Sequence, residues 1–309
     1  MHSLPCGSIF AANLSKTDMK KAALFLSVII AAVSCSKAVP QKEIGLQLYS
    51  VRDLVGSDEL YAANHESVFQ AIKEMGYSYV ESAIYEDRKF HGASPEQFKA
   101  DVEAAGLKFR ASHVSHDLTD AQIATGDFSG TLPWWKDAIE DHKAAGVEYM
   151  IMANTYTPED DYPQTAKVLA EYLNTIGAMV REAGMQFGYH NHDTEFDKIQ
   201  GVRFYDYINR NTDPENLFME MDVYWITHAN ASPVRYFNRY PGRFKMIHAR
   251  DESEIGKSGL VGYDAIFRNA ELAGIKDVVV ELGGGSYDDI LRSCRESAEY
   301  IQNTDFIKY

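Results

Sequence analysis

The sequence predicts an α/β protein, a single-domain (β/α)8 TIM barrel, on three observations. From residue 43 onward, an apolar strand-like run and an amphipathic helix-like run alternate eight times, the order expected of a parallel sheet covered by helices. Five of the helix-to-strand junctions carry a glycine at the same place. No glycine-rich dinucleotide fingerprint follows the first strand, which sets aside a doubly wound open sheet. The 309 residues, 45% apolar and 24% charged, suffice for one such barrel with its loops.

Strands are expected at 43–50, 78–83, 107–114, 148–154, 186–191, 217–224, 244–249 and 276–282. Helices are expected at 60–76, 94–105, 131–145, 161–184, 232–240, 262–274 and 286–302. Ser94-Pro95-Glu96-Gln97 reads as a helix start, with a serine cap, proline at the first helical position and glutamine where a capping box needs it. Gly76, Gly106, Gly146, Gly184 and Gly274 follow helices at the left-handed position that favours glycine.

Ahead of the barrel, residues 1–18 read as an untranslated or disordered extension. Residues 19–35 read as a signal peptide: Met19-Lys20-Lys21, an uncharged run from Ala22 to Val33, then Ser34-Cys35. The apolar run is too short to span a bilayer comfortably. Its Ala-Val-Ser-Cys ending resembles a bacterial lipoprotein signal, with Cys35 as the lipidated first residue. An ordinary signal peptide cut near Ala38 is the alternative. Either way the mature chain is expected outside the cytoplasm, periplasmic or membrane-anchored, with 36–42 as a polar tether and the barrel at 43–309. Cys294, in a late amphipathic segment, reads as a packed free thiol.

Lys plus Arg total 30 and Asp plus Glu 45, a net charge of −15. That surface repels phosphate backbones, so nucleic acid is excluded as a partner. A neutral sugar and a metal cation are favoured.

Barrel enzymes draw catalytic groups from the C-terminal ends of their strands. Those ends collect Gln47 and Tyr49, Glu81, His113 and His116, Asn154, His190 and His192, Asp222, His248 with Asp251, and Glu281. Singly, a strand-end histidine is usually a hydrogen-bonded structural residue, Asp222 a helix cap, Glu281 half of an ion pair. Together, His190 or His192, Asp222, His248 and Glu281 on four successive strands form a ligand set for one divalent metal, Mn, Zn, Co or Mg. Tyr224, Trp225 and the Trp134-Trp135 pair offer aromatic faces near the rim, although core packing explains the pair better. Gly283-Gly284-Gly285-Ser286 stands where barrel phosphate sites occur, but Asp288 and Asp289 oppose a phosphate.

At these residues the chain resembles the sugar phosphate isomerase/epimerase family, the xylose isomerase-like barrels. The matching segments are Ile44-Gly45-Leu46-Gln47-Leu48-Tyr49-Ser50-Val51-Arg52, Gly188-Tyr189-His190-Asn191-His192-Asp193, Glu220-Met221-Asp222-Val223-Tyr224-Trp225 and Ile247-His248-Ala249-Arg250-Asp251. The resemblance covers about residues 43–305. It implies metal ligation by Asp222, His248 and Glu281, with His190 where the ketose epimerases carry a glutamate. That departure removes one of two carboxylates flanking the substrate. Arg250 stands where many relatives have lysine, able to hold a sugar oxygen but not to act as a base.

The resulting expectation is a sugar isomerase/epimerase acting on an unphosphorylated sugar or keto-sugar through a metal-bound enediolate. Glu281 is the first proton-transfer candidate and His192 or Glu81 the second. His113, Gln47, Trp225, Arg250 and Asp251 are expected to contact the small-molecule substrate. Two alternatives stand beside this: a lyase or hydratase on 3-keto-glycosides, and a non-catalytic lipid-anchored sugar-binding protein. The membrane is a partner only through the N-terminal anchor. The mass of the mature N-terminus checks that anchor: diacylglycerol on Cys35 is expected, lost in Cys35→Ser, whereas an unlipidated end near Ala38 marks an ordinary signal peptide.

Overall fold

The computed structural model describes residues 42–155, 157–158, 160–283 and 289–307. The signal segment with Cys35, the tether through residue 41 and residues 284–288 of the glycine-rich turn lie outside the described residues. Eight parallel strands close into a barrel: β1 Gly45–Gln47, β2 Tyr79–Ser82, β3 Lys108–His113, β4 Tyr149–Met152, β5 Gln186–His190, β6 Phe218–Asp222, β7 Met246–Ala249 and β8 Asp277–Val280. Every one falls within an expected range. Closure comes from β1 pairing with both β2 and β8.

The helices around it include α1 Asp58–Glu74, α2 Pro95–Ala104, α3 Leu132–Ala145, α4 Tyr162–Glu182, α5 Phe204–Asn211, α6 Val223–His228, α7 Pro233–Arg239, α8 Tyr263–Arg268 and α9 Ile290–Asn303. Ser94 caps α2 as its sequence predicts, accepting from the Gln97 backbone amide. The five junction glycines all have φ between 75° and 96°. Lys42 docks on the end of α9, donating to the carbonyl of Ile301 at 2.7 Å, and ties the first strand to the last helix.

Several elements differ from expectation: a helix at Asp120–Thr125, a short one at Arg52–Val55 and a hairpin of Tyr85–Glu86 with Lys89–Phe90 were not expected, and the helix expected at 262–274 breaks at Asn269. The first strand gives way at Leu48 to a short helical turn, Leu48–Val51. The sixth stops at Asp222, because the Asp222 side chain accepts from the backbone amides of Tyr224 and Trp225 and starts α6 there. Helix α5 was not expected: its aromatic and asparagine-rich sequence has weak intrinsic preference for helix, and packing of Phe204, Tyr205 and Ile208 forms it.

Strand side chains alternate between barrel interior and helix layer. Outward residues join the large core under the helices, which Cys294 of α9 also enters as a buried free thiol. Inward, Tyr79, Ala111, Tyr149, Ile151, Phe218, Met246 and Val279 form a separate apolar floor. Two glycines make room for its rings: a Cβ at Gly45 would lie 2.1 Å from the Tyr79 ring, and one at Gly188 would lie 2.6 Å from Phe218. One step further along every strand except β4, the inward residues turn polar.

Two buried histidines lie outside that polar layer. His91 donates from Nδ1 to the Val55 carbonyl (2.8 Å) and His142 from Nδ1 to the Ala138 carbonyl (2.6 Å). Burial pushes both down to about 4. The unfolded chain then takes up protons before the native one does. Stability is full above about pH 6.5 and lost as pH falls from there toward 4, by up to about 3 kcal/mol per ring. Urea unfolding between pH 7 and 4.5 should show this decline, and a combined His91→Gln and His142→Gln variant should flatten it.

Candidate active site

The polar layer begins with Gln47, Glu81, His113, His190, Glu220 and His248, each two residues beyond a residue of the floor or a floor glycine. Register sets their neighbours: Gln47 pairs with Glu81, His190 with Glu220, and Asp222 with His248. All but His113 are essentially sealed from solvent.

His190 and His248 divide this region into two tiers, since each ring presents one nitrogen to each. Toward the floor, His190 Nδ1 lies 3.1 Å from Glu220 Oε2, and His248 Nε2 lies 2.7 Å from Glu81 Oε1. Toward the mouth, His190 Nε2 stands 4.0 Å from Asp222 Oδ2, and His248 Nδ1 3.1 Å from Glu281 Oε2. Arg250 completes the upper tier: its Nη1 is 3.3 Å from Glu281 Oε1 and 3.9 Å from Asp222 Oδ2, and its guanidinium lies 4.6 Å from the Trp225 ring centre.

The electrostatics follow from burial. Desolvation would raise the Glu81 and Glu220 carboxyls, but the surrounding imidazoles pull both down to about 2. Their charges in turn lift His113 to about 9 and His248 well above its ordinary value, against the cost of burial. Burial and the two neighbouring rings hold His190 neutral, and burial also lowers His192. In the upper tier, burial and the nearby Glu281 charge push Asp222 up to about 7, while His248 and Arg250 hold Glu281 low.

The upper tier fits a divalent cation. His190, Asp222, His248 and Glu281 each supply a donor atom within 4.8 Å of the others, a mixed imidazole–carboxylate set. One Asp222 oxygen caps α6, while Oδ2 is buried without a hydrogen bond. Capping and the inward-facing oxygen are thus two uses of the same carboxylate.

Above this tier opens a cavity of about 820 Å³, lined by His113, His190, His192, Trp225, Arg250, Glu281, Gln47, Asn154 and Trp134. The His192 ring makes no hydrogen bond among the described residues. The Trp225 indole N–H is buried and also without a partner. Trp134 stacks on His116 at 4.5 Å and faces the cavity. Trp135 is wholly buried and donates to the Tyr172 hydroxyl, so the pair splits between site and core.

Two residues expected at the substrate lie elsewhere. Glu81 is beneath the histidines, receiving Gln47 Nε2 at 2.6 Å as well as His248, and does not line the cavity. Asp251 faces its own loop, accepting from the backbone amides of Glu252 and Gly256 and from the Ser258 hydroxyl. Gln47 reaches the cavity, but its side chain is engaged with Glu81 and the Tyr49 amide. Glu220 was not expected at the site. Its parity with Phe218 and Asp222 on one strand was the available signal. Asn191 was also missed: it clamps β5 to β6 by exchanging hydrogen bonds with the Asp222 backbone.

Comparison with known proteins agrees with this architecture. A sugar phosphate isomerase/epimerase from Parabacteroides distasonis superposes with a TM-score of 0.77 at 28% identity, over 89% of this chain and 98% of that one. A second from the same organism gives 0.75 at 30% identity, over 86% and 100%. An inosose dehydratase of Lacticaseibacillus casei is 34% identical over 83 residues, a stretch that spans only 27% of either chain. The sequence profile of the xylose isomerase-like TIM barrels matches residues 69–304. The chain belongs to the xylose isomerase-like TIM barrel family.

Proposed function

We propose that this protein is a sugar isomerase/epimerase that moves a proton on a carbon next to a carbonyl of an unphosphorylated sugar or keto-sugar. The observation that carries this reading is the upper tier: four convergent donor groups, one of them a buried carboxylate oxygen without a hydrogen bond, at the floor of an open polar cavity. His190, Asp222, His248 and Glu281 would hold a divalent cation. When bound, such an ion polarises a carbonyl and acidifies the neighbouring C–H.

The chain's own groups divide the remaining work. Both Glu281 oxygens are taken, one by His248 and one by Arg250, so Glu281 is held as a ligand rather than as a free base. His192 lines the cavity, its ring makes no competing hydrogen bond among the described residues, and it takes the proton. Arg250, stacked on Trp225, is placed to hold a sugar oxygen and to balance the enediolate charge. Trp225 offers its free N–H to a hydroxyl. Return of the proton from His192 to the adjacent carbon gives isomerisation, and delivery of a proton from cavity water to the opposite face gives epimerisation, with the proton on His192 lost to solvent.

Expulsion of a β-oxygen from the same enediolate gives a lyase, on 3-keto-glycosides for example. The inosose dehydratase stretch favours this second reading, because dehydration is such an elimination. An exported location, proposed from residues 19–35, favours an unphosphorylated substrate under either reading.

Proton NMR in D2O, with ketoses, aldoses and 3-keto-glycosides, tests the proposal. Deuterium uptake beside a carbonyl, abolished by chelator, is expected, and the product spectrum identifies epimer, isomer or alkene. A cation-loaded protein that exchanges no proton in any of them overturns the reading and leaves a binding role. His192→Ala should slow exchange by ~100-fold or more with cation binding intact. His248→Ala should lose cation and exchange together.

A further inference from the structure

The lower tier has more contacts than it has protons to fill them. His113 Nε2 lies 3.0 Å from both Glu81 Oε1 and Glu220 Oε2. His248 Nε2 lies 2.7 Å from Glu81 Oε1 and 3.3 Å from Glu220 Oε1. His190 Nδ1 lies 3.1 Å from Glu220 Oε2. These are five close N···O contacts, while three ring nitrogens carry at most three N–H groups. Glu220 Oε1 and Glu81 Oε2 are both fully buried and make no hydrogen bond.

Donor atoms about 2.1 Å from a shared cation sit roughly 3.0–3.4 Å from one another at tetrahedral or octahedral angles. The lower-tier separations cluster near that spacing, and His113, His190, Glu220 and His248 each offer a donor within 4.8 Å of the rest. We propose that the lower tier is a second divalent-cation seat, built from His113, His190, Glu220 and His248 with Glu81 alongside. It lies beneath the seat assigned under the proposed function and is distinct from it in both carboxylates. This inference rests on that reading only in sharing His190 and His248. A neutral imidazole has one free lone pair. While both rings keep their protons, the two seats therefore take an ion in turn rather than together. The upper seat meets the cavity directly and the lower one lies beneath it, reaching the cavity only at His113, so the lower seat stores the ion away from substrate.

The test is Co(II) titration of metal-free protein, followed by calorimetry and visible absorption. Wild type should bind one equivalent. Asp222→Ala combined with Glu281→Gln disables the upper seat, and this variant should still bind one equivalent, with an altered spectrum. Adding His113→Ala, at the partly exposed edge of the tier, should then weaken binding ~10–100-fold, and adding Glu220→Gln should do likewise. Thermal melts of the metal-free variants show whether each is folded, and His113→Ala supplies the test if Glu220→Gln does not fold. Binding by wild type but none by the upper-seat variant overturns the second seat and leaves the first standing. Residual binding that ignores His113 and Glu220 also overturns it. A wild type that takes up no Co(II) overturns both.

Discussion

The interior of this barrel is organised by the cost of burying negative charge. Glu81, Glu220, Asp222 and Glu281 lie inside one narrow tube, none more than 6% exposed. An isolated carboxylate there would give up its proton only at great cost, and four together would repel one another. The structure answers with His113, His190, His248 and Arg250, all inward-facing and all within contact of those carboxylates. The compensation is graded. The lower pair is held charged by imidazoles, whereas Asp222, on the cavity side of the histidines, is left short of positive charge.

That gradient separates support from chemistry. Glu81 and Glu220 set the rotation of the two shared histidines, and the opposite nitrogens then point to the cavity. With an ion in the upper seat, these carboxylates would orient its imidazoles and raise their basicity. Gln47 and Asn191 extend the bracing to β1 and β6. The site is therefore built on strands and their immediate ends rather than on mobile loops. Tyr79, Phe218 and Met246 beneath it exclude water from the closed end of the tube.

The family likeness accounts for the scaffold, and the aromatic groups around the cavity are where this chain would set its substrate preference. On α6, Tyr224 stacks on His228 and both meet Trp225 edge to face, with ring centres 5.1–5.8 Å apart. Trp134 and Asn154 face the same cavity. Trp225 comes from α6, Trp134 from α3 and Asn154 from the segment after β4, so none of them belongs to the strands that carry the buried charges.

The eight strands, the helix caps and the glycine junctions were legible in the sequence, because each depends on a local pattern: alternation, a capping side chain, a backbone that must enter the left-handed region. His190, Asp222, His248 and Glu281 were legible as a group for the same reason, since topology alone delivers strand ends to one face. Helix α5 was hidden because packing, not propensity, forms it. The roles of Glu81, Asp251 and Glu220 were decided by tertiary structure. Sequence marks a polar residue at a strand end, but which side of a histidine it occupies depends on strand register, barrel closure and the rotation of a ring held by residues far away in the chain.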